Sequence, residues 1–267
     1  MVIRSEQMLA LEQACNKAFG ERMLARIRQY FPKHAELLSE DELRVLIALA
    51  RERARSHDLV SERNVALYLD LMCFLGSGFD TDPQIPWAAE ILADRSFPTP
   101  DARAGKLHAQ GWDFAQKSLE DFKDPAGKKE PYRLLAVLDE IGRRTLDTLQ
   151  PQALRVLADQ LCSDMKNAFP VRYTIIGEDC LARVARRAVE SARKYGINNA
   201  RGISLFAVVS LVAGASFDRD PQLPWASRVL SDESTSADSI ARTQQLHREA
   251  LECLRQWWDL NVGMAAQ

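Results

Sequence analysis

The stretch Gly76-Ser-Gly-Phe-Asp-Thr-Asp-Pro-Gln-Ile-Pro-Trp-Ala88 recurs as Gly214-Ala-Ser-Phe-Asp-Arg-Asp-Pro-Gln-Leu-Pro-Trp-Ala226, 138 positions later. The same frame runs without a gap from about residue 31 to residue 94, and about a third of its positions are identical. It pairs Phe31-Pro32 with Phe169-Pro170, Glu40-Asp41 with Glu178-Asp179, Ala54-Arg55 with Ala192-Arg193, and Arg63 with Arg201. Beyond the window it slips by one, and Ala102-Arg103 and Leu107-His108 meet Ala241-Arg242 and Leu246-His247. A match this long in one frame reads as a duplication. The period is too long for a solenoid unit of about 20–50 residues and has the size of a small domain. The sequence therefore predicts two tandem copies, 1–125 and 131–267. They join near Lys123-Asp-Pro-Ala-Gly-Lys-Lys-Glu-Pro131, where two prolines and a glycine mark a break.

Each copy reads as helices, so the expected fold class is all-α. No stretch alternates apolar and polar residues with β-branched enrichment. Leu43, Leu46, Ile47, Ala50 and Ala54 form a stripe at helical spacing, and their frame partners Leu181, Val184, Ala185, Ala188 and Ala192 repeat it. Val65–Leu75 and Ile203–Ala213 are apolar nearly all round, the mark of a central helix. Ser61 precedes the first, and Asn198 or Asn199 the second, as N-caps. Gly76 and Gly214 follow as C-terminal stops. The spacing predicts six helices per copy: 5–18, 20–30, 40–56, 62–75, 85–93 and 101–121, then 132–147, 150–168, 178–194, 199–213, 223–231 and 237–260. Two cores of modest size are expected.

Within the box, two acids two residues apart suggest metal ligands or an acid–base pair. A structural reading accounts for more of the residues. Asp82 before Pro83 and Asp220 before Pro221 can cap turns, and Pro86 and Pro224 suit the first turn of a helix. Trp87 and Trp225 are apolar anchors, and Phe79 and Phe217 pin the entering chain. Asp80 and Asp218 complete the pattern in both copies. Groups kept in both copies suit the fold that both share, since a catalytic centre usually needs one set.

The whole chain has 267 residues, 46% hydrophobic and 27% charged, with a net charge of −2. The apolar fraction excludes a disordered chain, and the charge argues against a nucleic-acid partner. Neither copy is strongly charged: residues 1–130 carry 18 basic and 21 acidic groups, and the rest carry 17 and 16. Cys15, Cys73, Cys162, Cys180 and Cys253 have no zinc-site spacing and read as reduced, buried thiols. No leader peptide is visible at the N-terminus, and the longest apolar run, Ile203–Phe217, is shorter than a membrane span. A soluble cytoplasmic protein with no membrane partner is expected. No phosphate-loop, nucleotide-fold, zinc-protease or nucleophile-elbow motif occurs, so no cofactor, metal or catalytic residue is expected.

His108 and His247 occupy matched places and read as structural. His57, replaced by Tyr195, reads as lying at a helix end, and His34 completes the four histidines. Two basic clusters, around Arg51–Arg63 and Arg183–Arg201, are interleaved with acids and read as solvated faces, with an acidic partner surface as the alternative. Trp257 and Trp258 are adjacent, so one helical face cannot bury both. Trp258, Arg186 and Arg187 are the candidate partner-binding residues, and copy-specific positions are the place to look for an interface.

At its box, the sequence resembles a group of uncharacterised bacterial helical proteins with the pattern Phe-Asp-x-Asp-Pro-x-x-Pro-Trp, followed by a short helix and a long final one. Such proteins are encoded beside type VI secretion effectors with PAAR or Rhs parts. Both copies match, through about 31–119 and 169–257. The resemblance implies a non-enzymatic immunity protein that binds a cognate toxin, or an adaptor or chaperone that loads an effector, and it transfers no catalytic residues. An enzyme using Asp80/Asp82 or Asp218/Asp220 is the third possibility.

Overall fold

The structure, a computed structural model, describes residues 5–122, 132–232 and 238–264. Among these, every regular element is a helix, and extended pairing is limited to one isolated bridge between Thr148 and Asn199. In the first half, α1 spans Ser5–Tyr30, α2 Pro32–Leu37, α3 Glu40–Ser56, α4 Glu62–Leu75, α5 Pro86–Ala93 and α6 Pro100–Ser118. In the second half, α7 spans Tyr132–Gly142, α8 Pro151–Ala168, α9 Pro170–Ile176, α10 Glu178–Lys194, α11 Ala200–Ala213, α12 Pro224–Leu230 and α13 Ser239–Met264. The bounds of α3 and α4, moved by 138, coincide with those of α10 and α11. A single 3-10 turn opens the box in each half, at Phe79–Thr81 and Phe217–Arg219.

Local chemistry sets these bounds. Ser39 and Glu42 close a reciprocal capping box at the start of α3, whose first turn is acidic and whose last turn carries Arg53 and Arg55. The stripe Leu43, Leu46, Ile47, Ala50 and Ala54 is buried, as is its counterpart on α10. Ser61 caps α4 and Asn199 caps α11 through their side-chain oxygens. Both central helices end on glycines, at φ +89° for Gly76 and +99° for Gly214. Their ψ values near 150° place them beyond the usual left-handed stop, in a region essentially reserved for glycine.

Five expectations change. The break between 18 and 20 is absent, because Gly20 sits inside a continuous α1; a lone interior glycine costs only about 1 kcal/mol. The short helices α2 and α9 were not anticipated, although Pro32 and Pro170 at their first positions are suitable starters. Helix 132–147 stops at Gly142. The buried side chains also form one connected cluster running through both halves, where two cores were expected. All five cysteines are free thiols, but of these only Cys180 is buried: Cys73, Cys162 and Cys253 are half-buried and Cys15 is exposed.

In each half a buried arginine ties the last long helix to the end of α3 or of its counterpart α10. Arg103 on α6 donates to the His57 carbonyl at 2.5 Å and the Asp94 carbonyl at 3.5 Å. Arg242 on α13 donates to the Tyr195 and Asp232 carbonyls, which occupy the matching positions.

Candidate functional site

The box does not cap only its own turn. Asp82 Oδ1 accepts from the Gln84 N–H at 2.8 Å, which is the anticipated turn. Its Oδ2 crosses to the second half and accepts from the Ala215 N–H at 2.6 Å. Asp220 mirrors this, accepting from Gln222 N–H at 2.9 Å and, across the boundary, from Ser77 N–H at 2.7 Å. The amide of Gln84 donates to the Ser210 carbonyl in the last turn of α11, and that of Gln222 to the Met72 carbonyl in the last turn of α4. Each box therefore satisfies polar groups at the helix end of the other half.

The exchange extends one shell further. His34 hydrogen-bonds the Cys73 backbone and the Gln222 side chain. Its frame partner Arg172 donates to the Leu211 carbonyl and, at 3.5 Å, to Gln84. At the centre the chains nearly touch: a Cβ on Gly76 would lie 2.6 Å from the Ala213 carbonyl oxygen, and one on Gly214 3.0 Å from that of Leu75. Burial pushes the Asp82 and Asp220 carboxyls up, against the opposing pull of the backbone N–H groups. It also pushes His34 down to about 4, so this imidazole is neutral at pH 7.

Asp80 and Asp218 stay within their own halves. Asp80 meets Arg53 at 2.8 Å, the Tyr68 hydroxyl at 2.8 Å and His57 at 3.6 Å. Burial raises its carboxyl, but His57, Tyr68 and Arg53 outweigh that and hold it below the ordinary range. Asp218 takes the Tyr195 hydroxyl at 2.8 Å and has Arg219 at 3.7 Å. Burial and Asp218 together push that phenol up to about 12. Phe79 and Phe217 are buried against Tyr68 and Phe206, with ring centres 4.7 and 4.6 Å apart. Trp225 is buried, Trp87 is half-buried against Phe114, and Pro83 and Pro221 are half-buried in their turns. Among the described residues no cluster of His, Cys, Asp and Glu has a metal-binding arrangement.

The nominated partner-binding residues fare unequally. Arg186 is exposed and contacts only its own helix, at the Ala182 carbonyl. Arg187 is half-buried and crosses to the first half, donating to the Thr81 carbonyl at 3.0 Å and to Ser216 Oγ at 3.1 Å. Its guanidinium is thus engaged inside the fold. The Trp258 side chain lies outside the described residues.

A different face stands out, and only in the first half. Tyr30 and Trp112 are 58% and 45% exposed. A run of contacts links them: Arg26 lies over the Tyr30 ring and pairs bidentately with Asp70, His108 faces Asp70 at 3.4 Å, and Phe74 packs between His108 and Trp112. Burial raises the Asp70 carboxyl, but Arg26 and His108 outweigh it and hold it low. The corresponding positions in the second half are Ala168, Asp164, Val208, Val212 and Leu251, with only His247 kept. His247 turns instead to the Leu138 carbonyl at 3.0 Å. The signal for this face in the sequence is the frame comparison, in which Tyr30, Asp70, Phe74 and Trp112 stand opposite the apolar Ala168, Val208, Val212 and Leu251.

Between the halves lies a cavity of about 450 Å³, lined mostly by apolar side chains of α4, α6, α7, α11 and α13, with His34, Ser118, Arg172 and Gln222 among them. No family model, curated protein or solved structure matches the chain. Among the described residues no helix is long and apolar enough to cross a membrane.

Proposed function

We propose that this protein is a non-enzymatic binding protein of the bacterial cytoplasm, an immunity protein that neutralises a cognate type VI secretion toxin through the Tyr30–Trp112 face. The observation that carries this reading is the restriction of that face to one half. Tyr, Trp and Arg are the residue types that dominate binding hot spots, and here they are gathered, mutually braced and open to solvent. The four box carboxylates support it from the other side. They are engaged with backbone N–H groups, tyrosine hydroxyls and arginines that hold the fold. We further infer that the chain is two copies of one helical unit, paired about an approximate two-fold axis between Gly76 and Gly214. The matched element bounds and the reciprocal Asp–Gln contacts support this.

Co-expression with the toxin encoded beside it tests the function. The protein is expected to rescue growth and to co-purify with the toxin. Tyr30→Ala combined with Trp112→Ala should weaken the complex by roughly 100-fold or more, as two hot-spot truncations do, while the helical signal stays intact. Rescue that survives the double substitution rejects this face. Loss of secretion without loss of self-protection would point to the adaptor role.

A further inference from the structure

We propose that the cavity between the halves is a binding site for an uncharged, largely apolar small molecule that carries one hydrogen-bond acceptor, such as a carbonyl or hydroxyl oxygen. At about 450 Å³, this hollow is in the size range of ligand pockets. Phe31, Phe114, Leu138 and Val209 give it an apolar wall, which selects an apolar body.

Three wall residues select the acceptor. Ser118 Oγ, Arg172 Nε and Trp225 Nε1 are buried and have no hydrogen-bond partner among the described residues. All three are donors, while the wall's buried acceptor, Gln222 Oε1, has the His34 imidazole beside it. A buried donor without a partner carries a desolvation penalty that an acceptor oxygen would relieve. Charge selects against an acid. Asp82 and Asp121 act on Arg172, and Asp220 is itself in the wall, so the single guanidinium already faces several carboxylates. A carboxylate ligand would add a further negative charge to an interior that holds these three. The lining is drawn from both halves, yet His34 and Arg172 differ, as do Phe74 and Val212, so the site is asymmetric and would hold one molecule in one orientation.

The test uses the full chain and prodan, an uncharged naphthalene ketone whose emission shifts to the blue in apolar surroundings. Saturable binding of one probe per chain with a blue shift is expected, and the anionic naphthalene sulfonate ANS should not displace it. Val212→Phe copies into the wall the residue of the matching position and fills the space. It should weaken prodan at least about tenfold while the protein keeps its helical signal and a cooperative melt. Val209→Phe repeats that test should the first variant not fold. Ser118→Ala should weaken prodan about fivefold through the lost hydrogen bond. No blue shift at saturating probe, unchanged binding in the folded filled variant, or displacement by ANS would overturn the proposal.

Discussion

Asp82 and Asp220 have interchangeable surroundings. Each takes one backbone N–H from its own turn and one from the other half, with a glutamine beside it reaching the facing helix end. Two residues earlier in the same box, Asp80 and Asp218 have surroundings that differ. Asp80 is held by Arg53, Tyr68 and His57, whose frame counterparts are Ser191, Phe206 and Tyr195. The hydroxyl on Asp218 comes from Tyr195, one helix away from the place that supplies it to Asp80. A contact that joins the halves constrains both partners at once. A contact inside one half can be rebuilt alone, because any donor that reaches the buried carboxylate serves.

This contrast can be broken experimentally. The largest effect is expected from Asp82→Ala and Asp220→Ala. Each orphans buried backbone donors and loosens the join, at about 3–4 kcal/mol in urea unfolding, since each deletion leaves two such groups unsatisfied. The two values should agree within about 1 kcal/mol, and a gap several times larger would show that the crossed contacts are not equivalent.

Next comes pH, through His34 against Arg172. The buried imidazole titrates at about 4 when folded and at its ordinary 6.5 when unfolded. Its depressed value contributes stability above pH 6.5, and this is lost as pH falls from 6.5 to 4, by up to about 3 kcal/mol. Asp82 and Asp220, being raised, act in the opposite sense on acidification, so the measurement is the difference between wild type and His34→Gln. That difference should shrink steadily through this window, and a flat difference would place His34 in contact with water.

Asp80→Ala should cost about 2–3 kcal/mol, because it strips Arg53 and Tyr68 of a shared acceptor, while Asp218→Ala should cost about 1 kcal/mol. Equal costs would mean that the difference in their surroundings has no energetic weight. The smallest effect belongs to Tyr195→Phe, about 1 kcal/mol for one hydroxyl–carboxylate bond at a half-exposed site, with Asp218 left to Arg219 and solvent. Thermal melts would resolve it.

Much of the fold was legible in the residues. Stripes such as Leu43–Ala54, caps such as Ser61 and Asn199, and stops such as Gly76 act within a few positions of chain, so their signals are local. The break expected between 18 and 20 is absent because Gly20 weakens α1 without ending it. The candidate face was legible only in part. Trp112 and Tyr30 are unremarkable in the sequence until Arg26, Asp70, His108 and Phe74, drawn from three helices, bring them onto one surface.

The sequence by itself determined most of the helical elements, the limits of α3, α4 and α10, and the repeat of the box. These follow from periodicity, backbone freedom and capping, which depend on neighbours along the chain. Only the tertiary structure decided where the second oxygen of each box aspartate goes, that the two cores are one, and that a cavity opens between them. A buried carboxylate must find donors, and which N–H groups supply them depends on which helix ends meet in space, here those at Gly76 and Gly214.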